Sequence, residues 1–190
     1  MRIWYDTEFL EDGRTIEPIS IGMVTDDGRE YYAVNRDMPV RRIRRNPWLM
    51  ENVVPSLPKA PGDARLYQPR RWLFNYSDPR VKRREVIARE VRDFILGTDP
   101  EMLPYVELWA DYGAYDHVVL CQLWGRMIDL PEGIRMWTHD LRQEIDRCGL
   151  AKQVPSMPGA REHNALDDAR ELKFRYEWLA AHAEPKAAAT

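Results

Sequence analysis

The chain has 190 residues, is 44% hydrophobic and 31% charged, and carries a formal net charge of −3. That length and apolar content suit one domain with a full core and exclude a disordered polyelectrolyte. No uncharged apolar run reaches about 18 residues, so no membrane-spanning helix is expected. The opening residues carry Asp6 and Glu8 where a signal peptide needs an apolar stretch, so the expectation is a cytoplasmic protein. Cys121 and Cys148 have no CxxC partner and fit free thiols in a reducing compartment rather than a disulfide framework or zinc site.

In chain order, Arg2–Thr7 alternates as a strand, with Ile3 and Tyr5 on one face. Asp12-Gly13 signals a turn, Ile16–Val24 a second strand, Asp27-Gly28 another turn and Glu30–Val34 a third strand, giving an antiparallel meander. Through residues 36–78, Pro47, Pro55, Pro58, Pro61 and Pro69 interrupt any long element, so short helices and loops lying over the sheet are expected. Pro79–Leu96 has helical periodicity, with Asp78 as the cap and Gly97 at the end. Tyr105–Ala110 reads as a strand, Ala114–Trp124 as a helix closed by Gly125, and Ile134–Trp137 as a further strand. Asp140 with Gln143 fits a capping box opening a helix to Cys148, closed by Gly149. Asn164–His182 is the last helix, and residues 184–190 are expected to fray. The order predicts a single α/β domain over residues 1–183, with a mixed five-stranded sheet flanked by helices.

Charge is unevenly placed. Residues 36–92 hold 15 Lys and Arg against 6 Asp and Glu, a balance of +9, and the remainder balances at −12. The runs Arg41–Arg45 and Arg80–Arg84 could contact a polyanion, although a solvated basic face is the more ordinary explanation on charge alone.

Three acidic motifs carry candidate chemistry. In Asp6-Thr7-Glu8, alternation puts both acids on one side of a strand end, roughly 6.5–7 Å apart at the Cα atoms. Such a pair suits hard divalent cations bound through oxygen, but a solvated strand end also explains it. In Asp111-Tyr112-Gly113-Ala114-Tyr115-Asp116-His117, a strand runs into a helix and either acid could face a ligand, although Asp116 also suits the first-turn helix dipole. In His163-Asn164-Ala165-Leu166-Asp167-Asp168, Asn164 fits an N-cap and Asp167 the reciprocal capping position. Asp168 points about 100° further around the helix and is free to act as a ligand. His163, on the preceding loop, belongs to the residue type best suited to accept a proton near neutrality.

Together these motifs supply Asp-x-Glu, Asp and His-x-x-x-x-Asp, a combination that resembles the DEDDh family of 3′–5′ exonucleases, whose fold is ribonuclease H-like. Asp6-Thr7-Glu8-Phe9, Leu108-Trp109-Ala110 leading through Ala114–Val118 into Leu120–Gly125, and His163–Ala169 are similar to the polyadenylate-specific 3′-exoribonucleases of that family, with the similarity spanning about residues 1–180. The resemblance implies two Mg²⁺ (or Mn²⁺) ions on Asp6, Glu8, Asp116 and Asp168, with His163 deprotonating the attacking water. It implies release of 5′ nucleoside monophosphates from adenylate-rich single-stranded RNA 3′ ends by a homodimer. Many members carry His-Asn ahead of the second motif's Asp. Asp111-Tyr112 stand there in this chain, which makes Asp111 a rival to Asp116, and the family pattern favours Asp116.

By the same resemblance Glu8 and the backbone around Thr7 and Phe9 approach the terminal ribose. Phe9, Tyr112 and Trp137 lie beside motif ends and are candidates to stack on a base. The basic runs would guide RNA phosphates. Competing functions are general RNA trimming or a proofreading-type DNA exonuclease on the same metal site, a binding module without catalysis, and an aspartyl phosphatase. The binding module leaves the four acids unexplained, and the phosphatase lacks a suggestively placed Lys and second loop acid.

Overall fold

The computed structural model describes residues 1–60, 72–98 and 105–183. Strands β1 (Arg2–Glu11), β2 (Ile16–Thr25) and β3 (Glu30–Asn35) form the expected antiparallel meander. The proline-interrupted segment then folds into helices α1 (Val40–Ile43) and α2 (Pro47–Asn52) and a 3-10 turn at Val54–Ser56. A two-residue strand β4 (Val81–Lys82) precedes helix α3 (Arg84–Leu96). Strand β5 (Glu107–Ala110) leads into α4 (Ala114–Cys121). Strand β6 (His139–Asp140) runs into α5 (Leu141–Cys148), and α6 (Ala165–His182) ends the described chain.

These strands form a mixed sheet in the order β4-β3-β2-β1-β5-β6, flanked by helices in the ribonuclease H-like manner. Central β1 pairs antiparallel with β2 and parallel with β5. Among the described residues the sheet has six strands, against the five read from the sequence. Val81 and Lys82 fall where a helix start was expected, and α3 begins only at Arg84, because Asp78 bonds the Arg80 N–H and guanidinium instead of capping a helix. Ile134–Trp137 is not a strand. Ile134 drops into the core alone, Met136 and Trp137 stay exposed, and pairing resumes at His139.

Alternation along β1 divides the core. Ile3 and Tyr5 pack with Ile21 and Met23 of β2 against Ile87, Val91 and Ile95 of α3 and Leu120 of α4. Trp4, on the opposite face, packs with Trp109 against Leu141 and Ile145 of α5 and Leu172 and Leu179 of α6. Each fully buried Leu or Ile contributes about 1.5–3 kcal/mol. A third cluster places Ile43, Leu49, Val54 and Trp72 over Leu10, Ile19 and Val34, so the proline-rich segment covers one end of the sheet. The β1–β2 register shifts between Glu8 and Phe9, where β2 carries Ile19 as an extra residue. The acids of β1 therefore sit where the regular ladder gives way.

Candidate active site

Asp6 and Glu8 share the β1 face of Trp4, which is the face toward α6. Opposite Asp6 in register stands Gly22 of β2. A Cβ on Gly22 would lie 2.2 Å from the Ala165 carbonyl oxygen and 2.3 Å from the Leu166 nitrogen. Only glycine lets the first turn of α6 approach the sheet backbone this closely. That turn is held by Asn164, whose side-chain oxygen accepts from the Leu166 and Asp167 N–H groups at 3.2 Å.

Docked this way, α6 carries Asp168 to the β1 acids, and ligand atoms of Asp6, Glu8 and Asp168 all lie within 4.8 Å of one another. Asp167 turns away, as its helical phase requires. It does not close a capping box and instead pairs with Arg161 at 2.9 Å and Arg170 at 2.6 Å.

Asp116 enters from the first turn of α4 and is buried. Its Oδ1 accepts from Thr7 twice, from the backbone N–H at 2.9 Å and from Oγ1 at 2.6 Å, which leaves Oδ2 outside this pair of bonds. Asp116 lines the same open cavity, of about 420 Å³, as Asp6, Glu8, Asp168 and His163, although it lies outside the tight three-carboxylate group. Its rival Asp111 also lines this cavity, but its Oδ2 accepts from Arg142 and Arg175, each at 2.9 Å. Two guanidiniums on one carboxylate oxygen answer the charge that a cation would otherwise meet.

His163 sits at φ 63°, a left-handed conformation costly for a residue with a Cβ. Contacts from the proline-rich segment hold it: Ser56 Oγ donates to the His163 carbonyl at 2.8 Å, and the Trp48 ring meets the imidazole at 4.9 Å and 74°.

The acids repel one another in a poorly solvated place. Burial first, then Asp116, Glu8 and Asp168, push Asp6 well above the ordinary carboxylate range. Burial, with Asp168 and Asp116, pushes Glu8 up to about 8. Burial raises Asp168 to about 7 against the pull of backbone hydrogen bonds from Asn164 and His163. It raises Asp116 to about 6 against the two Thr7 bonds. Hard oxygen donors at this spacing, with their ionised forms disfavoured until a cation arrives, are a fitting donor set for divalent metal.

Around the carboxylates, Phe9 stacks on Tyr115 at 5.8 Å and 12°. Tyr112 sits at φ 55° with the Arg142 guanidinium 4.9 Å over its ring, and its neighbour Gly113 donates its N–H to Asp140 at 2.8 Å. Phe9 and Tyr112 line the cavity, whereas Trp137 is not among its lining residues and packs on His139 at 4.8 Å. Thr7 lines it too, but both of its donors are engaged by Asp116.

Sequence reasoning missed Trp48, Tyr115, Arg142 and Arg175. Arg175 follows Asp168 by seven residues, two turns along the same helix face, and that spacing could have revealed it. Trp48 lies among prolines with no periodicity to mark it.

The basic runs are partly neutralised. Arg42 pairs with Asp12 and Glu17, Arg44 bonds the Trp72 carbonyl, Arg80 pairs with Asp78 and Lys82 with Glu90. Arg41, Arg45, Arg83 and Arg84 make no side-chain ion pair among the described residues, and part of the basic stretch lies outside those residues.

No protein-family model matches the chain. Two curated relatives, each a 3′–5′ exoribonuclease from a strain of Mycobacterium tuberculosis, are 40% identical to it over 181 residues, covering 94% of this chain and 93% of the relative. With the acidic cavity in place and the likeness running nearly end to end, the chain belongs to the family of these 3′–5′ exoribonucleases.

Proposed function

We propose that this protein is a metal-dependent 3′–5′ exoribonuclease of the DEDDh type that shortens adenylate-rich single-stranded RNA from its 3′ end and releases 5′ nucleoside monophosphates. The observation that carries this reading is the convergence of Asp6, Glu8, Asp168, Asp116 and His163, from three separate parts of the chain, on one cavity. Asp6, Glu8, Asp116 and Asp168 would hold two Mg²⁺ (or Mn²⁺) ions, which would supply an activated water and charge neutralisation at the leaving 3′ oxygen.

The chain's own residues do the rest. His163 takes the proton of the attacking water on a ring nitrogen. Thr7 fixes the Asp116 carboxylate through two hydrogen bonds, so it acts through Asp116 rather than on the ribose. Contact with the terminal 2′-hydroxyl, the group that distinguishes RNA from DNA, then falls to Glu8 and the Phe9 backbone at the register shift. Phe9 and Tyr112 offer aromatic faces at the cavity for the terminal base, each backed by a neighbour, Tyr115 or Arg142.

The test is the product pattern from 5′-labelled oligo(A), oligo(U) and DNA of equal length. Stepwise shortening with release of AMP, fastest on oligo(A) and abolished by EDTA, is the expected result. Internal cuts, or full activity in EDTA, would refute the reading. Equal rates on DNA would favour the proofreading-type alternative on the same site.

A further inference from the structure

His163 reaches the carboxylate cavity from a backbone at φ 63°, a conformation that a residue with a Cβ leaves readily for the ordinary regions unless something holds it. We infer that Ser56, 107 residues away in sequence, is the positioning residue that holds it there. The Ser56 hydroxyl grips the His163 carbonyl and so keeps the imidazole aimed at the attacking water. This inference rests on the exoribonuclease reading, in which His163 is the general base.

Ser56 Oγ lies 2.8 Å from two carbonyl oxygens, those of Val53 and His163, but the hydroxyl carries a single proton. The Val53 carbonyl already accepts from the Ser56 backbone N–H at 3.0 Å. Among the described residues no other donor reaches the His163 carbonyl. Donation to Val53 would duplicate a bond already made, whereas donation to His163 pairs a half-buried oxygen that otherwise has no partner there.

The two sides of His163 are held unequally. Ser56 ends the 3-10 turn Val54–Ser56, and Val53, Val54 and Leu57 around it are buried in the third core cluster, so the hydroxyl stands on a rigid mount. On the loop side Arg161 pairs with Asp167, but the arginine side chain is 81% exposed, and a pair so open to water contributes little. The Trp48 ring meets the imidazole at 4.9 Å, which limits the swing of the ring without fixing the backbone behind it. Asn164 caps α6 immediately afterwards, so the torsions of residue 163 itself decide where the imidazole points. The Ser56 bond is the contact that bears on those torsions from a buried anchor.

The experiment is a double-mutant cycle. Single-turnover rates on oligo(A), with enzyme in excess and saturating Mg²⁺, are measured for wild type, Ser56→Ala, His163→Ala and the double variant. KM for oligo(A) and a thermal melt in EDTA accompany each protein. A hydrogen bond of ordinary net strength predicts that Ser56→Ala lowers the rate of the chemical step about 2- to 13-fold. KM should not change, because Ser56 does not line the carboxylate cavity. Loss of the base lowers the rate about 100- to 10,000-fold, and on that background removal of the Ser56 hydroxyl should cost nothing more, because the group it positions is gone.

The same fold-loss in both backgrounds would make Ser56 a support of its own turn alone and would overturn the inference. So would an unchanged rate for Ser56→Ala, or a loss confined to KM. A wild-type protein inactive on oligo(A), or a His163→Ala protein as fast as wild type, would overturn the exoribonuclease reading itself, a result distinct from failure of the Ser56 assignment alone.

Discussion

Replacing Gly22 with alanine tests how the site is assembled. The new Cβ would meet the Ala165 carbonyl oxygen at 2.2 Å and carbon at 2.3 Å, and these are backbone atoms that cannot rotate aside. Restoring ordinary van der Waals contact, near 3.4 Å and beyond, requires the first turn of α6 to retreat from β2 by about 1 Å. Asp168 lies in that turn, three residues after Ala165, so it withdraws from Asp6 and Glu8, whose ligand atoms now lie within 4.8 Å of it.

Overpacking of this kind costs about 1–3 kcal/mol, which for a chain of this size lowers the melting temperature by about 2–12 °C. A misplacement near 1 Å costs about 100-fold in rate, and the strict octahedral demand of Mg²⁺ shifts the activating metal concentration upward. The assays are a thermal melt in EDTA, which isolates the fold, and oligo(A) hydrolysis across a Mg²⁺ titration, which reads the site. A Gly22→Ala protein that melts within about 1 °C of wild type and keeps about a third of its activity would refute the reasoning.

Further outcomes follow from the same geometry. Asp168→Asn and Asp116→Asn should each lower oligo(A) hydrolysis at least about 100-fold, whereas Asp111→Asn, whose parent carboxylate is bound by Arg142 and Arg175, should lose less than about tenfold; equal losses at all three would make Asp111 a ligand. The raised pKa values of Glu8, Asp168 and Asp116 mean that the fold keeps protons that the unfolded chain releases at lower pH. Without metal, stability should therefore fall as pH rises from about 4 to about 8, and Mg²⁺ should remove the fall. Melting curves in EDTA that stay flat across that window would contradict the charge crowding. Joint replacement of Arg41 and Arg45 by Gln should reduce the slope of log affinity against log salt for oligo(A) by about 1.4, from roughly 0.7 per phosphate contact on a single strand. A slope that does not change would make these residues ordinary solvated surface.

Much of this arrangement is legible along the chain wherever a local rule has a single outcome. The β1–β3 meander follows from alternation broken by Asp12-Gly13 and Asp27-Gly28, and α6 follows from its Asn164 cap. Two-residue strands such as β4 and β6 are too short to show a period, so a helical reading swallowed Val81 and the apolar run Ile134–Trp137 drew the strand away from His139. The position of Asp111 depends on arginines 31 and 64 residues away, which no local spacing reveals. Trp48 is positioned by the Asn46 cap and by contact with His163, and only folding joins those two.

The sheet terminates on both sides in strands of two residues, β4 and β6. Margins so short expose few unsatisfied amide and carbonyl groups, which gives another polypeptide little to zip onto and protects against fibrillar association. Among the described residues, these margins would favour any contact between copies of this chain through side chains of helices and loops over a sheet continued from one copy to the next.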